Sequence, residues 1–254
     1  PFILRRNKKE VLTELPDKIE QNIILPFNDE EEKLYVANLA EANKELQELY
    51  DLEGSDKMQI LKLLTRLRQL CLEPRLVYDN IDQPSSKLKA CMELIKTMQE
   101  NKQKVLLFSS FTSVLDLIAE ECQKAGITYY MLTGSTNKED RRELVSRFQK
   151  DDTTVFLISL KAGGTGLNLT SAEAVIHFDP WWNVSAQNQA TDRAYRIGQK
   201  NNVQVFNLVM KDSVEEKIIE LQKRKKELAD MFVENNSGGL SQMSKEDILS
   251  LFTM

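Results

Sequence analysis

Residues Val155–Gln199 read VFLISLKAGGTGLNLTSAEAVIHFDPWWNVSAQNQATDRAYRIGQ. The run opens with an apolar strand over residues 154–160, which leads into three glycines within positions 163–166. A second apolar strand over residues 174–179 and a helix predicted over Ser185–Ile197 follow. This order indicates a parallel α/β sheet with a turn at the carboxyl end of a strand, where such sheets bind ligands.

The predicted helix carries two arginines on one side. At about 100° per residue, an alanine stripe that ends at Ile197 would face the core, and Gln189, Arg193 and Arg196 would form a row at its edge. A guanidinium fork suits phosphate oxygens, so this row could clamp a transferring phosphoryl group. Helix geometry alone favours the alternative, an ordinary solvated arginine face.

The glycine turn offers a second candidate binding feature. Gly163, Gly164 and Gly166 leave the backbone bare, so its N–H groups can approach a phosphate or a ribose. By itself this signal is weak, because a glycine turn between strands is structural about as often as it binds a ligand.

The chain around this run alternates between helical and strand patterns. Helices are predicted at Ser86–Glu100, Thr112–Ala125, Asn137–Phe148 and Ser185–Ile197, and strands at Val105–Ser109, Ile127–Leu132, Val155–Leu160, Ala174–Phe178 and Val203–Val209. Thr136 and Glu139 have the spacing of a capping box, and Gly126 and Gly198 suit helix ends. The alternation predicts an α/β fold in which a mostly parallel sheet has helices on both faces.

The two ends of the chain have helical patterns. Apolar residues at four-three spacing predict helices over Glu30–Tyr50 and Lys57–Cys71, which favour a packed hairpin over a partner-binding surface. A last long helix starts at Ser213, and Ser244–Phe252 forms a short one. We therefore expect three regions, an extended segment with the hairpin at 1–80, a sheet-based lobe at 81–212, and a C-terminal helix with a tail at 213–254.

Several segments together carry a family signature. They are PFILRR at Pro1–Arg6, LPDK at Leu15–Lys18, LRQLCLEPRL at Leu67–Leu76, KVLLFSSFTSVLDLI at Lys104–Ile118, LTGSTNKEDRRELVSRF at Leu132–Phe148, GGTGLNL at Gly163–Leu169, FDPWWN at Phe178–Asn183, QATDRAYRIGQ at Gln189–Gln199 and SVEEKIIELQKRKKEL at Ser213–Leu228. With them the chain resembles the second RecA-like lobe of the Swi/Snf-type DNA-dependent ATPases, which are translocases and chromatin remodellers of helicase superfamily two. The resemblance implies a RecA-like fold for the lobe.

The resemblance also implies roles for individual residues. Arg193 and Arg196 match the arginine fingers of the family, and Gln189 stands beside them as a third catalytic residue. The implied nucleotide-binding positions are Gly164, Gly166 and Asn168. The implied DNA-binding positions are Ser109, Ser110, Phe111, Gly134, Ser135, Thr136, Arg141 and Lys161.

The implied cofactor is ATP with Mg²⁺, held mostly by the N-terminal RecA-like lobe of the same protein. The chain contains no G-x-x-x-x-G-K-[ST] phosphate loop, and no Gly-Lys pair occurs in it. The acidic run Asp29–Glu32 follows Asn28 and is interpreted as a capped first helical turn, not as a magnesium site. No metal site is predicted, and we expect the chain alone to be inactive as an ATPase.

Three positions depart from the family pattern. The family often has Asp at Thr133, His at Tyr195 and Asn-His-Pro at 72–74, and these differences favour a bacterial or archaeal member over a eukaryotic remodeller. Two other functions stay open, a strand-separating helicase and an RNA-dependent relative of the kind that recycles RNA polymerase. A third alternative is a scaffold lobe without catalysis, which the intact row of Gln189, Arg193 and Arg196 disfavours.

Composition limits the choice of partners. The chain has 34 basic and 39 acidic residues and a net charge of −5, which does not suit a protein that coats DNA by bulk attraction. We therefore expect local contacts with the backbone of double-stranded DNA, and a monomer as the oligomeric state. Cys71, Cys91 and Cys122 have no metal or redox spacing and are interpreted as buried thiols, and the lone His177 as a packed histidine.

The expected location is the cytoplasm, at the nucleoid in a prokaryote. No secretory signal occurs, and no apolar run approaches the roughly 18 residues that a membrane span needs. Because the chain starts at Pro1, we expect it to be part of a longer protein.

Overall fold

A computed structural model describes residues 16–51, 57–163, 166–232 and 245–252 of the chain. The strands are β1 (Lys18–Leu25), β2 (Val105–Ser109), β3 (Tyr129–Leu132), β4 (Val155–Ser159), β5 (Ala174–His177) and β6 (Val203–Met210). The helices are α1 (Asp29–Asp51), α2 (Lys57–Leu72), α3 (Ser86–Glu100), α4 (Thr112–Lys124), α5 (Lys138–Phe148), α6 (Val184–Thr191), α7 (Val214–Phe232) and α8 (Lys245–Ser250). A 3₁₀ turn covers Pro74–Leu76, and a single helical turn covers Leu160–Gly163.

The six strands form one sheet in the order β1-β6-β5-β2-β4-β3, and every pairing is parallel. Helices α3 and α4 cover one face, where Cys91 and Leu115 pack on Leu107 and Ile176. Helices α5 and α6 cover the other face around Phe156. The predicted α/β fold with helices on both faces of a parallel sheet is confirmed.

The helical parts pack together in a cluster of their own. Tyr35 of α1, Leu64 of α2 and Ile218 of α7 are buried in it. The hydroxyl of Tyr35 accepts a hydrogen bond of 2.7 Å from the amide of Val214 and so ties α1 to the start of α7. The predicted hairpin of α1 and α2 is confirmed, and α7 packs against it.

A buried ion pair joins this cluster to the sheet. Lys87 at the start of α3 and Glu215 at the start of α7 are at most 1% exposed, and the Nζ atom lies 2.6 Å from both carboxylate oxygens. The amide of Met210 donates to the same carboxylate at 2.8 Å. Burial raises the pKa of Glu215, and the charge of Lys87 opposes that rise.

The three cysteines are free and buried, as predicted. Burial raises the pKa of each thiol, so each stays protonated near neutral pH. Asn28 caps α1 as predicted, because its Oδ1 atom accepts from the amides of Glu30 at 3.0 Å and Glu31 at 2.9 Å. No helix in the described ranges is both long and apolar enough to cross a membrane.

Strand β1 was not predicted as a strand of the sheet. The sequence indicates only an extended segment before the hairpin. Its residues pair in parallel with all eight residues of β6, from Lys18 opposite Val203 to Leu25 opposite Met210. The strand lies at the edge of the sheet and is largely exposed, so its sequence lacks the buried apolar block that marks the other strands. The division of the chain at residues 80 and 212 stays a prediction.

The cap of α5 differs from the predicted capping box. Asn137, not Thr136, is the N-cap, because its side chain accepts from the amides of Glu139 and Asp140. The hydroxyl of Thr136 instead accepts a hydrogen bond of 3.0 Å from the amide of Thr133, within the preceding turn. Asn is at least as good a cap as Thr, and here it displaces the box by one residue.

Helix α6 is shorter than the sequence predicts, since it ends at Thr191 and not at Ile197. In a longer helix the carbonyl of Arg193 would accept from the amide four residues on. That carbonyl instead accepts a hydrogen bond of 3.0 Å from the amide of Leu169, in the glycine loop. A tertiary contact therefore replaces the last helical turns, and Ile197, predicted as buried, is 69% exposed.

Candidate functional site

The candidate site lies at the carboxyl edge of the sheet, where the loops after β2, β4 and β5 meet. Because all strands are parallel, the segments that follow them leave the sheet on the same side. We call Gly166–Ser171 the glycine strap and Asp192–Gly198 the arginine turn. Gly164 lies outside the described residues, and Lys161 is exposed on the single helical turn after β4.

The glycine strap and the arginine turn are joined directly. The amide of Leu169 donates to the carbonyl of Arg193 at 3.0 Å. Gln199, which is buried, donates through Nε2 to the carbonyls of Ala172 at 2.8 Å and Ala194 at 3.2 Å. These bonds hold the predicted nucleotide-binding segment and the predicted catalytic segment in one arrangement.

The predicted catalytic side chains differ in exposure. Arg193 is half-buried, whereas Gln189 and Arg196 are exposed. Burial lowers the pKa of the Arg193 guanidinium, and the nearby positive charge of Arg196 lowers it further. The positive charges of Arg193 and Arg196 thus repel each other, and a nearby anion would offset that repulsion.

Gly166 in the strap has a φ of +42°. That value lies in the left-handed region, which side chains other than glycine rarely adopt. No atom lies within 4 Å of the position that a Cβ would take, so the backbone of Gly166 borders open space. A ligand can therefore approach the strap at this residue.

A pocket of about 790 Å³ opens between the strap and helix α5. It is lined by Thr136, Lys138, Arg141, Arg142, Val145, Gly166, Leu167 and Asn168. The pocket brings predicted DNA-binding residues of α5 together with predicted nucleotide-binding residues of the strap. Three cations in its wall favour an anionic occupant.

In the turn before α5, polar groups form hydrogen bonds with one another. The hydroxyls of Thr133 and Ser135 lie 2.8 Å apart, and the amide of Thr136 donates to the carbonyl of Thr133 at 3.2 Å. Gly134 and Ser135 are exposed, and a Cβ at Gly134 would meet no atom within 4 Å. The predicted DNA-binding residues 134–136 therefore form a tight, accessible turn.

The predicted DNA-binding residues after β2 surround one carboxylate, that of Asp179. Ser109 is buried and donates to it at 2.7 Å, and the amide of Ser110 donates at 3.0 Å. The hydroxyl of Ser110 donates to the second carboxylate oxygen. Phe111 in turn donates its amide to the hydroxyl of Ser109 at 3.1 Å.

Arg68 of α2 completes this cluster, although no role was predicted for it from the sequence. Its Nη2 atom donates to Asp179 at 2.8 Å and to the hydroxyl of Ser110 at 2.9 Å. Its guanidinium carbon lies 4.9–5.6 Å from the ring centroids of Phe111, Trp181 and Trp182. An arginine at a position where helical spacing places it with the buried apolar residues of α2 is the signal that could have identified it.

His177 at the end of β5 supports the segment that leads to the arginine turn. Its Nε2 atom lies 2.9 Å from the hydroxyl of Thr191, the last residue of α6, and its ring stacks on Phe108. Burial lowers the pKa of His177 to about 4, so the ring is neutral near pH 7. The prediction of a packed histidine is confirmed.

A parallel sheet with helices on both faces and a carboxyl-edge site of this composition defines the chain as a RecA-like lobe of the helicase type. Two family models match, an SNF2-related domain over residues 1–76 and a helicase conserved C-terminal domain over residues 86–198. The chain therefore belongs to the SWI/SNF-type family of ATP-dependent helicases and corresponds to their C-terminal lobe.

Individual relatives agree with this assignment. The chain is 39% identical to an uncharacterized ATP-dependent helicase of Mycoplasma pneumoniae, over 99% of this chain and 24% of the relative. The SWI2/SNF2 ATPase C-terminal domain of Sulfolobus solfataricus superimposes with a TM-score of 0.74, at 27% identity over 92% of this chain and 98% of that one. The Sulfolobus ATPase core in complex with dsDNA superimposes with a TM-score of 0.76. Its identity is 32%, over 99% of this chain and 54% of that one.

We predict that Arg68→Met destabilises the fold much more than Arg66→Met. Arg68 is 6% exposed, and its loss leaves the buried carboxylate of Asp179 without its cation, which costs about 3–5 kcal/mol. Arg66 lies 3.9 Å from Glu41 with its side chain 46% exposed, a pair whose loss costs about 1 kcal/mol or less. Urea unfolding of both variants measures the difference, and equal losses would contradict it.

We also predict an acid-dependent loss of stability caused by His177. Its pKa is lowered from 6.5 to about 4 in the folded chain. The unfolded chain therefore takes up the proton first, and stability present above pH 6.5 falls as the pH decreases towards 4, by about 3 kcal/mol. In His177→Gln, which cannot titrate, unfolding free energies should fall less over this range. Parallel pH curves for the two proteins would exclude the effect.

Proposed function

We propose that the chain is the C-terminal motor lobe of an ATP-dependent double-stranded DNA translocase, to which it contributes arginine fingers and contacts with the DNA backbone. The observation that carries the proposal is the hydrogen bond between the amide of Leu169 and the carbonyl of Arg193. It fixes the glycine strap and the arginine turn to each other. The chain spans 24% of the Mycoplasma relative, so the activity belongs to a longer protein.

In this proposal Arg193 and Arg196 stabilise the charge that develops on a transferring phosphoryl group. A fixed pair of guanidiniums supplies electrostatic stabilisation without moving during the reaction. The positive charge of Arg196 contributes to the lowered pKa of Arg193, and a bound phosphoryl group would offset the repulsion between the two charges. Gln189, exposed on α6, lies four residues before Arg193 in the sequence and is proposed as the third catalytic residue.

The residues of the strap fit a nucleotide as the group they would hold. Gly166 presents bare backbone to open space, and Asn168 lines the adjoining basic pocket. ATP with Mg²⁺ would supply the phosphoryl group and the metal charge. In the described ranges no three His, Cys, Asp or Glu side chains are placed to hold a metal ion, so we assign the Mg²⁺ ligands to the N-terminal lobe.

The DNA backbone is proposed to run past two turns, at Ser109–Phe111 and at Gly134–Thr136. Helix α4 has Phe111 as its N-cap with no side-chain cap, so its first amides can donate to a phosphate. The Arg68 and Asp179 cluster fixes the hydroxyl of Ser110 beside those amides. Such contacts recognise backbone geometry and not base sequence.

We predict that Arg193→Ala or Arg196→Ala in the full-length protein lowers DNA-stimulated ATP turnover by about 10³-fold or more, the range for loss of an arginine finger. Duplex affinity should change little, because these residues act on the nucleotide. Steady-state ATPase kinetics and duplex titrations measure the two effects separately.

Lys200→Ala provides the matched control, since Lys200 is an exposed cation just after the arginine turn. It should keep normal turnover. The chain alone should hydrolyse no ATP, because it has no phosphate loop. Turnover within a few-fold of normal in either arginine variant would show that the row is a surface feature.

We predict that Gly134→Asp weakens binding to every duplex alike, while Gly134→Asn, of the same shape without the charge, does not. A Cβ at Gly134 has open space, so the fold should tolerate both side chains. The carboxylate should cost up to about 1 kcal/mol, or about fivefold in Kd. The log–log salt slope of the chain should be about −2 to −4, at about −0.9 per neutralised phosphate.

Fluorescence anisotropy with two unrelated duplexes, a single strand and an RNA measures this prediction. A sequence-selective loss, or equal binding by both variants, would place the DNA elsewhere on the lobe. Preferred binding of RNA or of the single strand would instead support one of the two alternative helicase functions.

A further inference from the structure

Gln149, the residue after α5, holds the glycine strap through both ends of its amide. Its Nε2 atom donates to the carbonyl of Asn168 at 2.8 Å. Its Oε1 atom accepts from the amide of Ser171 at 2.9 Å. One side chain thus bridges the first and second halves of the strap, a two-point contact that fixes its position.

This contact is not needed to end the helix. The backbone amide of Gln149 already bonds the carbonyl of Val145 at 3.2 Å, which closes the last turn of α5. The side chain is half-buried, and both of these hydrogen bonds go to the strap. Its role therefore concerns the strap and not the helix.

Helix α5 is attached to the same loop at its other end. Arg141, in its first turn, donates through Nη1 to the carbonyl of Ala162 at 3.1 Å, just before the glycine turn. The helix thus holds the loop after β4 at two points, and the basic pocket lies between helix and strap. A shift of α5 would move the strap through the bonds of Arg141 and Gln149.

The strap is in turn attached to the arginine turn by the hydrogen bond from the amide of Leu169 to the carbonyl of Arg193. Leu169 follows Asn168 directly, so the atom that Gln149 binds and the amide that holds Arg193 belong to neighbouring residues. Two hydrogen bonds therefore connect the end of α5 to the backbone of Arg193. One runs from the Gln149 side chain to the carbonyl of Asn168, and the other from the amide of Leu169 to the carbonyl of Arg193.

We infer that Gln149 is a positioning residue that couples anion binding along α5 to the placement of the arginine turn. The inference rests on the proposed function, since it assigns Gln149 a role in ATP turnover by the same site. Gln149 is not among the residues proposed to bind nucleotide or DNA. It acts by holding the strap that holds Arg193.

The test uses the full-length protein with Gln149→Ala, Gln149→Glu and, as matched control, Lys150→Ala at the exposed next position. Both Gln149 variants should lower kcat at saturating duplex by about 10- to 100-fold, the effect of a small misplacement of a catalytic group. KM for ATP and the duplex concentration for half-stimulation should stay within about twofold, because no ligand contact is removed. Lys150→Ala should behave as wild type.

Gln149→Glu allows the inference to be tested if the alanine variant is too unstable for kinetics. Its carboxylate still accepts from Ser171 but faces the carbonyl of Asn168 with an oxygen, so it removes one bond with almost no change in shape. Thermal unfolding identifies the temperature range in which each variant is fully folded, and kinetics are compared there. Normal kcat in both folded variants would overturn the inference.

A double-mutant cycle with Arg193→Ala separates positioning from a general structural role. If Gln149 acts through Arg193, adding Gln149→Ala should not lower the residual turnover of Arg193→Ala, measured by release of labelled phosphate. Independent, additive losses would overturn the inference. If Arg193→Ala alone retained normal turnover, the proposed function itself would fail, which is a distinct result.

Discussion

The charge interaction between Arg68 and Asp179 is the constraint on which the site depends. Asp179 is 1% exposed, and a carboxylate at such a position needs donors on both oxygens. It obtains them from Ser109, Ser110 and Arg68, which belong to the end of β2 and to α2. The helical hairpin is thereby attached to the sheet at the loop where α4 begins. Lys87 and Glu215 form the corresponding attachment for α7.

The fold was largely predictable because its central strands are continuous apolar blocks. Helix α3 and strand β2 have the bounds that the sequence predicts. The errors occur where long-range contacts override local pattern. Strand β1 is exposed along most of its length, and beyond the end of α6 the carbonyl of Arg193 accepts from the amide of Leu169 and not from a further helical turn. The partner of β1 is β6, and the partner of Arg193 is Leu169. Both partners lie far away in the sequence, so local periodicity could not reveal these contacts.

The site was predictable only in part, for a similar reason. Glycines and arginines identify the strap and the arginine turn, since those residue types have few other reasons to occur in that order. Their roles and the DNA contacts stay predictions. Arg68 was missed because its partner lies 111 residues away, and Gln149 because a glutamine after a helix has no distinctive pattern. Residues that position others are recognisable only from their contacts.

The placement of β1 has a consequence for the folding order of the lobe. β1 and β6 pair along their full length although some 185 residues separate them, as in the contact of Asp17 with Asn202. Such a pairing closes a very long loop, so it contributes high contact order and forms late. Until it forms, β6 has one unpaired edge, which is open to other chains. A chain shortened to begin after the hairpin would keep that edge permanently.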